Sequence, residues 1–132
     1  TQVGSSAASD VYKRQELAKS SFILVEGAGG AFSPLALDGL NIDMMRLIKS
    51  LNILVVKDEL GCISSTIANI YAFQKYKTNL DLIILNTSKK NNMDNLTEIR
   101  KYTKLPVINY SGISSMKDIF RKVSSLLKLS NR

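Results

Sequence analysis

Residues 53–85 read ILVVKDELGCISSTIANIYAFQKYKTNLDLIIL. This stretch begins with the apolar run 53–56 and ends with a second run, 82–85, each of strand length and without a polar residue. Runs that are apolar on both faces are typical of strands buried inside a parallel sheet. Between them, apolar residues recur at helical spacing: Ile63, Ile67, Ile70 and Phe73. The stretch therefore predicts a right-handed strand–helix–strand unit.

The same alternation continues on both sides of this unit. The apolar run 22–25 predicts a strand before it, and the shorter run 106–108 predicts a strand after it. Helical spacing recurs in three further sets: Leu40, Met44, Leu47 and Leu51; Leu96, Ile99 and Thr103; and Met116, Ile119, Phe120, Val123, Leu126 and Leu127. Ser115 and Asp118 have the spacing of a capping box at the start of the last helix. We therefore expect a doubly wound α/β domain, or the C-terminal part of one, with a parallel sheet and flanking helices.

Composition excludes several kinds of chemistry. The chain has 132 residues, enough for one domain, with no His and a single Cys, Cys62. A Ser-His-Asp triad, a Cys-His dyad, a His-built metal site and an internal disulfide are therefore excluded within these residues. No apolar run approaches the roughly 18 residues that span a bilayer, and no signal peptide opens the chain, so we expect a soluble, cytoplasmic protein without a membrane partner.

The net charge of +7 suggests an anionic partner. The basic residues are scattered, however, with clusters no denser than Lys89-Lys90 and Arg100-Lys101. We therefore expect no nucleic-acid partner, and assign the basic excess to a phosphate-handling surface or to no function.

The opening segment 1–15 is small, polar and aperiodic, which predicts disorder. Residues 5–15 look like the in-frame translation of a transposon-type DNA-library adapter, and we interpret them as a scar fused to a truncated reading frame. The alternative is a natural flexible tail, and codons that do not spell the adapter would favour it. Residues 16–132 then form the C-terminal part of one nucleotide-dependent enzyme domain.

A glycine-rich loop, 26–30, follows the first predicted strand with the sequence EGAGG. Its glycines would let the backbone approach a phosphate, and the carboxylate of Glu26 could bind Mg²⁺. Phe32 breaks the G-x-G-x-x-G fingerprint, and no Gly-Lys-Ser/Thr follows as in a P-loop. The alternative is a tight turn with a solvated Glu26.

Two further segments follow the next two predicted strands. Residues 60–64, LGCIS, are typical of a helix start, whose free N–H groups could bind a carboxylate or phosphate, although most helix starts bind nothing. Cys62 has no His to activate it and is expected to be buried and inert. Asn86, followed by Thr87, could pair with the donor–acceptor edge of adenine, or could simply form a turn. All three segments lie at the same rim of the predicted sheet, which favours a site for a nucleotide and an anion.

Residues 25–30 (VEGAGG) followed by 33–35 (SPL), together with 60–63 (LGCI) and Leu85-Asn86, closely resemble the signature motifs of dethiobiotin synthetases. The likeness covers about residues 21–108, the C-terminal half of such an enzyme. It implies a P-loop NTPase-like fold and a homodimer that uses ATP and Mg²⁺. The reaction it implies forms the cyclic urea of dethiobiotin from diaminopelargonic acid and CO₂.

The resemblance also implies roles for individual residues. Glu26 would bind Mg²⁺, the nucleotide would contact Glu26, Gly27, Ala28, Gly29, Asn86 and Thr87, and the substrate carboxylate would contact Leu60, Gly61, Cys62, Ile63 and Ser64. Ser64 stands where the family usually has Asn, and Thr87 where it usually has Asp. The P-loop and catalytic Lys of the family do not occur in these 132 residues, so the chain itself is expected to be inactive and to carry no catalytic residue.

Two alternatives remain open at this point. One is a related P-loop superfamily enzyme, such as a cobyrinate amidase or a partitioning-type ATPase. The other is a domain that binds a nucleotide or a partner without catalysis. If the chain lacks the N-terminal strands of a larger parallel sheet, we expect a long exposed apolar edge, an uncovered sheet face and poor solubility of the isolated chain.

Overall fold

The computed structural model describes residues 23–48, 50–87 and 92–130. A three-stranded parallel sheet in the order β3-β4-β5 organises these residues, and a small antiparallel hairpin, β1-β2, precedes it. The strands are β1 Pro34–Ala36, β2 Gly39–Leu40, β3 Ile53–Lys57, β4 Leu82–Asn86 and β5 Val107–Tyr110. The predicted parallel sheet is confirmed for its last three strands.

Four helices accompany the strands: α1 Asn41–Leu47, α2 Cys62–Lys75, α3 Asn95–Tyr102 and α4 Met116–Ser130. A 3₁₀ turn, Ile113–Ser115, leads directly into α4. All four predicted helices are present, and α1 ends before Leu51. Of the helices in the described residues, none has the length and apolar content that crossing a bilayer requires.

The core lies on one face of the sheet. In-register pairing puts Leu54, Ile83 and Val107 side by side, and Ile83 is fully buried. The helices α2 and α3 contact each other, and their inward side chains join the same apolar cluster: Ile70, Phe73 and Ile99. The alternation of apolar residues therefore positions two helices over one face of the three strands.

The other face is less covered at strand β3. Val55 lies there with 62% of its surface exposed, although its register partners Ile84 and Ile108 are half-buried. Strand β3 forms the edge of the sheet within the described residues. The expected exposed apolar edge is therefore present at Val55.

The strand predicted over residues 22–25 is wrong for its described part. Residues 23–27 have no regular secondary structure, and Leu24 is 82% exposed. A strand requires a ladder of hydrogen bonds, and no described segment pairs with these residues. Phe22 and the segment 1–15 lie outside the described residues.

The predicted capping box at α4 is also wrong. The Ser115 hydroxyl donates to the Gly112 carbonyl and accepts the Ser111 N–H, because the 3₁₀ turn brings both groups to it. Asp118 instead pairs with Arg121 one turn further along the helix. The hairpin β1-β2 was not predicted, although its Asp38-Gly39 pair is a turn signal.

Candidate functional site

The glycine-rich loop folds back on itself through Ser33. The N–H of Gly30 donates to Ser33 Oγ at 3.0 Å, and the N–H of Ser33 donates to the Gly30 carbonyl at 3.0 Å. Gly29 has a φ of 78°, and a Cβ at that position would come within 2.2 Å of Ser33 Oγ. This tight turn therefore requires glycine at position 29.

Two asparagine side chains fix the loop to the helices. Asn41, 2% exposed at the start of α1, donates from Nδ2 to the carbonyls of Ala28 at 2.8 Å and Gly30 at 3.0 Å. Asn69 in α2 accepts the Ala31 N–H at Oδ1, at 2.6 Å. Sequence reasoning missed both asparagines, since a single amide in a helical segment carries no periodic signal.

The fixed loop leaves its first N–H groups available. Within the described part of the chain, the N–H groups of Gly27, Ala28 and Gly29 have no acceptor. Glu26, immediately before them, is exposed. Consecutive free N–H groups can donate together to an anionic oxygen.

The loop offers Mg²⁺ a single protein carboxylate, that of Glu26. Among the described residues there is no cluster of three or more His, Cys, Asp or Glu that could hold a metal ion. Mg²⁺ commonly takes only one or two protein carboxylates and completes its shell with water and phosphate oxygens. Glu26 can supply one such carboxylate beside free N–H groups that would hold the phosphate.

The segment 60–64 forms the start of α2, as predicted. Gly61 is the N-cap residue with a φ of 92°, and it provides no side chain to cap the helix. Leu60 and Ser64 are exposed, Ile63 is half-buried, and the first turn has no acidic residue. The Cys62 N–H donates to the Glu59 carbonyl at 3.1 Å, so the N–H groups of Ile63 and Ser64 and the positive dipole end of the helix are what an anion could meet.

Cys62 is buried at the same helix start. Burial raises the pKa of its thiol, and the negative charge of Asp58 raises it further. A thiol with a raised pKa is protonated at neutral pH and is a poor nucleophile. The expectation that Cys62 is buried and inert agrees with this geometry.

Asn86 and Thr87 lie at the carboxyl end of β4. The Asn86 carbonyl accepts the N–H of Asp58 at 2.9 Å, and the Thr87 N–H donates to the Tyr110 carbonyl at 2.8 Å. The side-chain oxygen of Asn86, Oδ1, is buried and has no hydrogen-bond partner. A buried acceptor without a donor is costly, so this atom marks a place where a ligand donor can bind.

A polar cluster that sequence reasoning missed surrounds these residues. Asp58 accepts from Thr87 Oγ1 at Oδ2, at 2.8 Å, and from Asn95 Nδ2 at Oδ1, at 2.7 Å. Thr87 Oγ1 also lies 2.5 Å from Asn109 Oδ1. A hydroxyl has one proton, so Thr87 can donate to Asp58 only if the Asn109 amide is turned to donate in its place. The cluster joins the ends of β3, β4 and β5 to the start of α3.

The predicted site residues thus form two separate groups, one at the glycine loop and one at the end of β4, and the start of α2 lies between them in the sequence. Asn86 and Thr87 contact Asp58, which precedes the helix start by a few residues. The glycine loop reaches α2 at Asn69, seven residues or about 10 Å beyond Cys62. No hydrogen bond joins the loop directly to Asn86 or Thr87 within the described residues.

A parallel sheet with an uncapped helix start and an unpartnered amide oxygen at its strand ends, accompanied by a glycine-rich loop, is typical of a nucleotide-binding α/β domain. Comparison with known proteins agrees with this class. A family model described as an AAA domain, a P-loop NTPase-like fold, matches residues 2–113. The chain belongs to this family.

Curated relatives specify the relationship further. An ATP-dependent dethiobiotin synthetase BioD of Vesicomyosocius okutanii is 36% identical over 106 residues, which cover 80% of this chain and 49% of the relative. The enzyme of the same name from Ruthia magnifica is 31% identical over 106 residues, with the same coverage. That of Campylobacter jejuni is 36% identical over 117 residues, covering 86% of this chain and 57% of the relative. The chain spans about half the length of these relatives, and the predicted relationship to dethiobiotin synthetases is confirmed.

Proposed function

We propose that the chain is part of a cytoplasmic, ATP-dependent dethiobiotin synthetase. In that reaction one amine of diaminopelargonic acid is carbamated by CO₂, the carbamate is phosphorylated from ATP, and the second amine displaces phosphate to close a cyclic urea. The observation that best supports this function is the buried, unpartnered Oδ1 of Asn86 in a chain related to ATP-dependent enzymes.

Asn86 would recognise the adenine base. Its Oδ1 lacks a donor, and the N6 amino group of adenine is a donor of the right kind. Guanine has a carbonyl at the same place, and two acceptors would face each other. The side chain is therefore suited to adenine nucleotides.

The glycine loop would bind the anionic part of the reaction. The N–H groups of Gly27, Ala28 and Gly29 would donate to oxygens that carry negative charge during phosphoryl transfer. Glu26 would hold Mg²⁺, which would neutralise negative charge there when bound. Because Asn41 and Asn69 hold the loop, these donors need little reorganisation when the charge develops.

The start of α2 would bind the carboxylate of diaminopelargonic acid. Leu60, Gly61, Cys62, Ile63 and Ser64 form this uncapped turn. In the homodimer that we propose, the turn serves the active site of the neighbouring subunit. Ser64 can add a hydroxyl donor to the backbone N–H groups.

A binding experiment tests the nucleotide part of this proposal. Saturation-transfer-difference NMR measures weak binding with micromolar protein, and we expect saturation of the adenine H2 and H8 protons of ADP by the 132-residue chain. The variant N86A removes the acceptor and should weaken ADP binding about tenfold, the equivalent of one hydrogen bond of ~1.4 kcal/mol. The matched control is N92A, at an exposed asparagine. Equal ADP affinity of N86A and the unchanged chain would contradict the role of Asn86.

A further inference from the structure

We propose that Asp58 is a positioning residue for the adenine site, holding the Asn86-Thr87 segment in the orientation in which Asn86 meets the base. This inference rests on the proposed nucleotide function and adds a residue to it. Asp58 does not itself contact the base; it acts through the end of strand β4.

Asp58 holds the Asn86-Thr87 segment at two points. Its backbone N–H donates to the Asn86 carbonyl at 2.9 Å, and its carboxylate accepts from the Thr87 hydroxyl at 2.8 Å. The first bond is to the carbonyl of the peptide that joins residues 86 and 87, and the second is to the side chain that follows this peptide. That peptide is thereby fixed in both position and tilt, and with it the backbone that carries the Asn86 side chain.

The same carboxylate is anchored on a second side. Its other oxygen accepts from Asn95 Nδ2 at 2.7 Å, and Asn95 is 7% exposed at the start of α3. Thr87 in turn contacts Asn109 near the end of β5. The carboxylate therefore links the ends of the strands to a helix. The segment that it holds includes Asn86, whose Oδ1 is the only buried side-chain oxygen or nitrogen atom without a partner in the described residues.

A role in stability alone and a role in positioning predict different results. Loss of stability lowers the amount of folded protein but leaves the preference of the folded protein for adenine over guanine unchanged. Loss of positioning lets the Asn86 amide shift or rotate and present its NH₂ group, which guanine accepts. The ratio of ADP to GDP affinity is therefore the readout that separates the two roles.

The experiment compares four variants of the 132-residue chain by saturation-transfer-difference titration with ADP and with GDP. D58A removes the carboxylate, and T87V removes the hydroxyl while keeping the shape of the side chain. D58N is the conservative variant. Its amide oxygen can accept from Asn95 and its NH₂ group can donate to the Thr87 oxygen, and the Thr87 hydroxyl then donates to Asn109. D81A is the matched control, since Asp81 accepts the Asn52 N–H at 2.8 Å beside the amino end of β4.

We expect D58A and T87V to weaken ADP binding about tenfold and to lower the preference for ADP over GDP by a similar factor. D58N should retain most of the ADP affinity and most of the preference for ADP over GDP. D81A should have the same preference as the unchanged chain. If D58A does not fold, T87V decides the question. An unchanged ADP-to-GDP ratio in T87V, or an equal loss in D81A, would overturn the positioning role; failure of the unchanged chain to bind ADP would overturn the proposed function and this inference with it.

Discussion

At the scale of single residues, the site depends on a few amides and glycines that tie distant segments together. Asn41 and Asn69 hold the glycine loop, and Asp58 gathers Thr87 and Asn95. Each of these contacts replaces water with a fixed partner in a partly buried setting, where leaving a group unpaired is costly. Substitutions at these positions should therefore have local effects that can be measured one bond at a time.

The glycine loop gives the first such test. G29A should speed hydrogen exchange at the amides of Gly30 and Ala31, because a side chain at a φ of 78° is strained and its Cβ would collide with Ser33. G39A is the matched control: a Cβ at Gly39 meets no atom within 4 Å. Exchange measured by mass spectrometry or NMR should change in G29A alone. Equal protection of the loop in both variants would contradict the described turn.

Cys62 gives a test that depends on pH. Burial, and then the charge of Asp58, raise the pKa of its thiol, so the unfolded chain loses this proton at lower pH than the folded one. The contribution of Cys62 to stability is therefore complete below the ordinary thiol pKa and is lost as the pH rises above it. At pH 8, iodoacetamide should modify the folded chain far more slowly than the chain in urea, as followed by intact mass. D58N should react faster than the unchanged chain, since it removes one cause of the raised pKa; equal rates would exclude an effect of the Asp58 charge.

At the scale of elements, the apolar periodicity of the sequence predicts the strands and helices that share the core. The runs 53–56 and 82–85 become β3 and β4, and the helical stripe between them becomes α2, because buried strands and helices must both present apolar residues at their own period. The site is less predictable. Asp58 contacts Thr87 and Asn95, which lie 29 and 37 residues further along the chain. No local sequence pattern predicts contacts between residues so far apart in the chain.

The ends of helices are likewise hard to predict from the sequence. The box predicted at Ser115 and Asp118 does not form, whereas Asp94, which was not singled out, caps α3 by accepting the Thr97 N–H at 3.3 Å. Candidate capping residues are frequent in sequences, and the turn that precedes the helix decides which of them can reach a free N–H.

The cap of α3 can be tested directly. D94A should lower the free energy of unfolding by about 1 kcal/mol, because it leaves a first-turn N–H of α3 without its side-chain acceptor. D118A removes only an exposed ion pair with Arg121 and should change stability by less than about 0.5 kcal/mol. Urea unfolding followed by circular dichroism measures both. A larger loss in D118A than in D94A would contradict the assignment of the cap.

At the scale of the whole molecule, the described residues form a three-stranded sheet with an open edge. Strand β3 has no neighbour on one side within these residues, and Val55 is 62% exposed on it. Exposed apolar strand edges pair with other chains. The molecule should therefore associate with itself in solution.

The substitution V55K tests this expectation, because a lysine on an edge strand opposes pairing and stays solvated. Sedimentation velocity at increasing concentration should show association of the unchanged chain and a shift of V55K toward the monomer. L37K is the matched control, since Leu37 is also exposed but lies in the hairpin turn. Two results would argue against association through β3: monomeric behaviour of the unchanged chain at all concentrations, or an equal shift toward the monomer in L37K.

Growth of a bacterial strain that lacks dethiobiotin synthetase tests most directly whether this chain is part of such an enzyme. The strain should receive a full-length gene that encodes residues 16–132 of this chain, and be grown on diaminopelargonic acid without biotin. We predict growth with that gene, little or none with its E26Q variant or with the 132-residue chain alone, and growth of every strain on added dethiobiotin. Failure of the longer gene to support growth on diaminopelargonic acid, while its protein is present in the cells, would contradict the proposed function.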